Sequence, residues 1–153
     1  MHEQKILVQA IKDGTVIDHI PAGHGMMILH LFKLAQLGER VTVGFNLTSK
    51  THQQKDLIKI EHVHFSPRQA NQLALLAPNA TVNVIENYKV IKKHQLQLPD
   101  IIEDIFSCPN SNCASHTEPV NSFFYVKESS KGTKLQCKYC EKSFSREIVS
   151  EQM

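Results

Sequence analysis

Cys108-Pro109-Asn110-Ser111-Asn112-Cys113, followed after 23 intervening residues by Cys137-Lys138-Tyr139-Cys140, is the stretch that decides how the end of this 153-residue chain folds. These are the only four cysteines in the chain. Where thiols stay reduced, two short-range pairs favour a metal over disulfides. Zinc takes four thiolates tetrahedrally, and two knuckles brought together by an antiparallel turn supply them at a small loop-closure cost. Free or redox-active thiols are the alternative reading. His116 is available as a substitute ligand, but four thiols leave it no required place. A closed tetrathiolate sphere has no position for water, so the metal is expected to be structural. The segment from Asp100 onward is only 54 residues long, too small to build much core, and a structural zinc supplies on the order of 10 kcal/mol of folding free energy. Without metal, residues 101–153 are expected to lose their fold.

Working back from the cysteines, Gln95-Leu96-Gln97-Leu98-Pro99-Asp100 reads as a linker. The charge changes sign there: residues 1–99 carry 11 Lys/Arg against 7 Asp/Glu, and residues 100–153 carry 6 against 8. The chain therefore reads as two domains, 1–99 and 100–153. Its 41% hydrophobic and 21% charged residues are those of a globular protein. The longest apolar stretch, Gly25 to Leu37, contains His30 and Lys33 and is too short to span a bilayer. Met1-His2-Glu3-Gln4-Lys5 does not read as a signal peptide, and a cytoplasmic location with no membrane partner is expected. Paired zinc knuckles also occur in nucleic-acid binders, yet a net acidic zinc segment is the wrong sign for a phosphate backbone, so no nucleic-acid partner is expected.

The first domain alternates strand and helix signals. Lys5 to Ile11 is β-rich, Gly14 allows a turn, and Thr15 to Ile20 resumes a strand before Pro21. Met27, Leu31 and Leu34, with Ile28, Phe32 and Ala35 alongside, predict an amphipathic helix. Val41, Val43, Phe45 and Leu47 alternate as in a half-buried strand, and Leu57 to Phe65 is a second β-rich run. Ser66-Pro67-Arg68-Gln69 forms a capping box for a short helix through Leu76. Val82 to Ile85 and Tyr88 to Ile91 supply the last strands. The order β-β-α-β-β-α-β-β predicts an α+β fold: an antiparallel, ferredoxin-like sheet with both helices on one face, joined to a small all-β zinc-ribbon-like domain.

Asp18-His19, Lys59 and Lys92-Lys93-His94 lie at strand ends or interrupt strands. If those strands are neighbours, the three lysines supply positive charge for a triphosphate, and Asp18 accepts hydrogen bonds from a ribose. Solvated lysines and a structural His19 are the plainer alternative. Neither a Walker loop nor a dinucleotide turn is present; Gly23-His24-Gly25 lacks the rest of both motifs. No nucleophile, base and orienting group form a recognisable catalytic set.

With Gly14-Thr15-Val16-Ile17-Asp18-His19-Ile20-Pro21, Lys55-Asp56-Leu57-Ile58-Lys59-Ile60-Glu61, Ala77-Pro78-Asn79-Ala80-Thr81-Val82-Asn83 and both cysteine pairs, the chain closely resembles, over nearly its whole length, the regulatory chain of bacterial aspartate carbamoyltransferase. The resemblance implies a non-catalytic subunit in pyrimidine biosynthesis. It implies that CTP and UTP bind as inhibitors and ATP as activator, that a zinc domain contacts the catalytic chain, and that regulatory homodimers join catalytic trimers. Carried over by position, the nucleotide pocket would use Ala10 and Ile11 for backbone contacts to the base and Asp18 for ribose. His19, Lys59 and Lys93 would face ribose or phosphate, and Asn83, Ile85, Tyr88 and Val90 would line the rest, with Ile11, Ile85 and Val90 alternatively serving the core. Asn110, Asn112, Glu118 and Lys142 keep residue types that the family uses toward the catalytic chain. Two departures stand out: Lys92 adds a cation beside Lys93, and Ser129-Ser130 replaces a more basic stretch. Ile101, Ile102, Ile105 and Phe106 follow the linker, either to transmit a shift between domains or to fill the small domain's core.

Overall fold

The computed structural model describes residues 10–51 and 53–147. Within them the first domain runs β1 (Gly14–Pro21), α1 (Gly25–Leu31), β2 (Val41–Thr48), β3 (Gln54–Glu61), α2 (Pro67–Gln72), β4 (Thr81–Glu86) and β5 (Lys89–His94). All pairings are antiparallel, in the sheet order β2-β3-β1-β4-β5. The first four strands with their two helices have ferredoxin-like connectivity, and β5 extends the sheet as a hairpin partner of β4. The strand expected over Lys5 to Ile11 lies largely outside the described residues; Ala10 and Ile11 belong to no strand.

Period-two alternation sorts the sheet into two faces. One transverse row, Val43-Ile58-Ile17-Val82-His94, runs across all five strands, and the next contains Ile60, Thr15 and Val84. Ile17, Ile58, Ile60 and Val82 share one buried cluster with Ile28 and Leu31 of α1 and Ala70 and Leu73 at the end of α2. Both helices therefore cover this face and leave the opposite one open. Gly14, at φ +148°, permits β1 to lie against β3: a methyl group there would run into the carbonyl oxygen of Ile60.

Several elements are shorter than their sequence patterns predict. The Met27 to Leu34 pattern gives a helix only as far as Leu31; Lys33 turns left-handed (φ 52°) and a 3-10 turn, Leu34–Gln36, completes the buried face with Leu34. The strand expected to reach Phe65 ends at Glu61, because His62 is left-handed (φ 65°). α2 opens with the expected reciprocal cap, Gln69 N–H donating to Ser66 Oγ and Ser66 N–H to Gln69 Oε1, then tightens into the 3-10 turn Leu73–Leu75. The β4–β5 turn places Asn87 (φ 51°) and Tyr88 (φ 66°) both left-handed, the hairpin turn whose twist matches its strands.

The second domain is an all-β sheet, β6 (Ile101–Glu103), β7 (Phe123–Ser129), β8 (Gly132–Cys137) and β9 (Ser143–Ser145), in that order. The connection between the sheets is anchored: Leu96 and Leu98 pack against the core, and the Gln97 N–H donates to Asn71 Oδ1 of α2. Ile102 and Phe106 are fully buried, Ile101 is exposed, and Ile105 lines a cavity of about 270 Å³ with Phe32, Leu34, Val63 and Phe65 of the first domain. Ile102 and Phe106 are thus core, and Ile105 spans the junction. No helix among the described residues is long and apolar enough to cross a membrane.

Thr15 is fully buried; its Oγ1 donates to the Val63 carbonyl (2.6 Å) and accepts from Phe65 N–H (3.1 Å), tying β1 to the approach to α2. Thr15→Val keeps the shape and orphans both backbone groups, so the variant is expected to lose about 2–3 kcal/mol of stability, read as a lower urea midpoint at unchanged slope.

Candidate functional site

The open face of the five-stranded sheet carries the row Thr42-Lys59-Val16-Asn83-Lys93, one residue from each strand. Lys59, Asn83 and Lys93 thus leave the sheet on the same side, the two lysines separated by three strand spacings, about 14 Å. On one flank the row formed by Gly14, Ile85 and Val90 makes an apolar corner. Ile11 and Ile85 are buried there, with Ile11 lying against Gly14, while Val90 and Tyr88 are exposed. The Tyr88 N–H donates to the Lys12 carbonyl and the Asn87 N–H to Asp13 Oδ1, which holds the Ala10 to Asp13 segment beside the β4–β5 turn. On the other flank are Asp18 and His19. The β1 register shifts between Ile17 and Ile20, and His19 takes φ 58° at this bulge, its Nδ1 3.2 Å from Thr81 Oγ1.

Asp18 Oδ1 forms a 2.9 Å ion pair with Lys55 Nζ, both side chains about three-quarters covered. Lys55 is a candidate that the sequence reading missed; it lies two alternations from Lys59 on the same strand face, but its pairing with Asp18 depends on β1 lying beside β3. Burial lowers the Lys59 pKa from its ordinary value, opposed by the nearby Asp18 charge. A partly desolvated lysine of this kind gains most when an anion arrives. Lys92 does not join the row: it pairs with Val84, a buried residue of the helix-covered face, so it projects away from Lys93's side.

The four cysteines converge in the second domain, their sulfurs all within 4.8 Å of one another. Cys108 and Cys140 Sγ are 3.8 Å apart, and Cys113 and Cys137 Sγ are 3.7 Å apart, each close pair taking one sulfur from each knuckle. Tetrahedral zinc with 2.3 Å bonds requires sulfur separations of about 3.8 Å, so the set fits that ion in ligand type, number and spacing. Burial pushes the Cys108 and Cys137 thiols up. On Cys113 burial is outweighed by hydrogen bonds from the Ser115 hydroxyl and backbone N–H, which bring it down to about 6. Backbone N–H groups of Asn110, and of Tyr139 and Cys140, similarly point at Cys108 and Cys137. Such donors favour thiolates, and a central cation removes the remaining repulsion. His116 is not a fifth candidate: its Nε2 lies between two carbonyl oxygens. Asn110 and Asn112 lie between Cys108 and Cys113, Glu118 follows Cys113 by five residues and Lys142 follows Cys140 by two; Asn110 is half-buried and the other three are exposed.

Comparison with known proteins follows the same division. Residues 6–97 match the model of the aspartate carbamoyltransferase regulatory chain, allosteric domain, and residues 100–150 match that of the regulatory chain, metal binding domain. The aspartate carbamoyltransferase regulatory chain of Chromobacterium violaceum is 65% identical over 144 residues, covering 94% of this chain and 95% of the relative. That of Aeromonas hydrophila is 57% identical over 149 residues (97% of each chain), and that of Neisseria meningitidis serogroup B is 56% identical over 151 (99% of each). Both matched models describe regulatory parts, which agrees with a non-catalytic subunit. With an allosteric domain, a metal-binding domain and relatives this similar across nearly its full length, the chain belongs to the family of aspartate carbamoyltransferase regulatory chains.

Proposed function

We propose that residues 1–99 bind nucleoside triphosphates on the open sheet face, CTP and UTP inhibiting and ATP activating a partner catalytic chain, and that residues 100–153 hold a structural zinc and dock on that chain. The observation that carries this reading is the single row joining Lys59, Asn83 and Lys93, with Asp18 at one flank and an apolar corner at the other. A base packs against Ile11, Ile85, Tyr88 and Val90, with Ala10 and Ile11 offering backbone groups. Ribose meets Asp18, and the lysines with His19 meet phosphate. Zinc, when bound, would supply a 2+ charge that offsets half of that on four thiolates and draws them together. The chain's own contribution is to hold Asn110, Asn112, Glu118 and Lys142 around that point as the surface for the catalytic chain. Self-association into a homodimer is supported by β2, an outer strand whose exposed Phe45 lines one surface depression with the exposed Met26 of α1. Clustered free thiols suit a reducing cytoplasm.

The route between the two functions starts at Lys93. Its neighbour His94 is buried, with Nε2 donating to the Phe65 carbonyl just before α2. α2 in turn holds Gln97 through Asn71, and its Arg68 faces Glu103 of β6 at 3.6 Å. An effector alters the enzyme only by binding its two states unequally, so this connection matters to the degree that it differs between them.

Lys59→Ala and Lys93→Ala are each expected to weaken CTP and ATP more than tenfold by calorimetry, since a charge-assisted hydrogen bond contributes about 1.5–3 kcal/mol. Lys92→Ala, on the other face, should change affinity less than threefold. Unchanged affinity in both of the first two variants overturns the assignment. Because the depressed Lys59 pKa rises when phosphate arrives, binding at alkaline pH should take up protons, and Lys59→Ala should lose that uptake.

Removing zinc with a chelator or a thiol-reactive mercurial should release the catalytic partner in active form, with loss of the second domain's circular dichroism signal. An assembly that stays intact after its zinc has left refutes the structural role.

A further inference from the structure

The two knuckles are supported unequally. The second closes the β8–β9 hairpin, with Cys137 N–H donating to the Lys142 carbonyl and Glu141 N–H to the Cys137 carbonyl. The first has four residues between its cysteines and lies in the long connection from β6 to β7, where no strand pairing holds it. What braces it comes from the 3-10 turn Ala114–His116 immediately after Cys113. Ser115 Oγ donates to Cys113 Sγ at 3.1 Å. His116 Nε2 is 3.0 Å from the Cys108 carbonyl and 3.0 Å from the Asn110 carbonyl. Carbonyl oxygens only accept, so Nε2 carries its proton and donates to both.

We infer that Ser115 and His116 are positioning residues of the metal site: the Ser115 hydroxyl orients and electronically tunes the Cys113 thiolate, and the His116 imidazole clamps the Cys108–Cys113 loop into the shape that the metal requires. This rests on reading the four thiols as a resident zinc site. The same clamp sets the position of Asn110 and Asn112, adding to the loop's own hydrogen bonds: Asn110 N–H to Cys108 Sγ, Asn112 N–H to Asn110 Oδ1 and Cys113 N–H to the Asn110 carbonyl. Ser115 and His116 act by different means. One touches a sulfur; the other touches only the backbone that carries a sulfur.

The full-length zinc-loaded chain tests this, with Ser115→Ala, Ser115→Thr, His116→Phe and His116→Gln as variants. Partners that orient metal ligands typically contribute 10–100-fold in metal affinity. Ser115→Ala and His116→Phe should therefore each release zinc to excess chelator at least tenfold faster than the unsubstituted chain. Ser115→Thr and His116→Gln, which keep a donor in place, should stay within a few-fold of it. With cobalt in place of zinc, Ser115→Ala should move the thiolate-to-metal absorption to longer wavelength, because a thiolate that loses a donor gives up charge more easily. His116→Phe should leave that band where it is. Release at the unsubstituted rate from both deletion variants, or donor-retaining variants that release as fast as the deletions, overturns the inference. Should a deletion variant fail to fold when loaded, the donor-retaining variant at that position decides the matter by whether it holds zinc. A chain that holds no stoichiometric zinc even when unsubstituted sinks the underlying reading instead.

Discussion

The register of β1 is the constraint on which the rest of the first domain depends. It is the central strand, paired with β3 on one side and β4 on the other. A slip of one residue would carry Val16 and Asp18 beneath the helices and expose Ile17, which is fully buried. The pairing that places Ile17 between Ile58 and Val82 also places Val16 between Lys59 and Asn83. Core and candidate site are two sides of one register, and no separate device is needed to bring the lysines to one face.

Buried polar groups hold what the sheet does not. Asp56, fully buried, accepts from the backbone N–H groups of Gly23, Gly25 and Asn46, which pins the entry to α1 and the irregular middle of β2 to one carboxylate. Thr15 and His94 do the same on the other side, binding β1 and β5 to the segment that leads into α2. Each satisfies backbone groups that would be costly to bury alone. In the second domain the corresponding task falls to the sulfur cluster, where apolar burial is limited and the ligands themselves, Cys108, Cys113 and Cys137, are part of the core.

Much of this is legible in the sequence alone. The strands with clear alternation, the Ser66 cap and the cysteine spacing each express local chemistry. What was hidden depends on pairing between distant segments. The bulges at His19 and Asn46 arise where β1 and β2 fall out of step with β3; both residue types tolerate a positive φ, but that tolerance does not fix where a bulge falls. Lys33 and His62 stop their elements by turning left-handed without a glycine. Lys92 looked like a partner of Lys93 because they are adjacent, yet adjacency along a strand means opposite faces. The segment Gln95 to Asp100 read as a free linker on its polar and proline content, although Leu96 and Leu98 show the same every-second-residue alternation as the strands and are packed. The candidate pocket residues are nameable as a set only through resemblance; spacing alone leaves them as scattered lysines.

The separation of the sheet into a helix-covered face and an open one has an evolutionary consequence. Substitutions at exposed positions away from special features usually change stability by less than about 0.5 kcal/mol. Positions such as Lys93 and Val90 are exposed on the strand away from the helix-covered face and contribute little to the core. Selection can therefore alter them with little stability cost, while the buried side stays under a separate and stricter filter. Chains of this family are free to diverge on the open face without relinquishing the architecture beneath it.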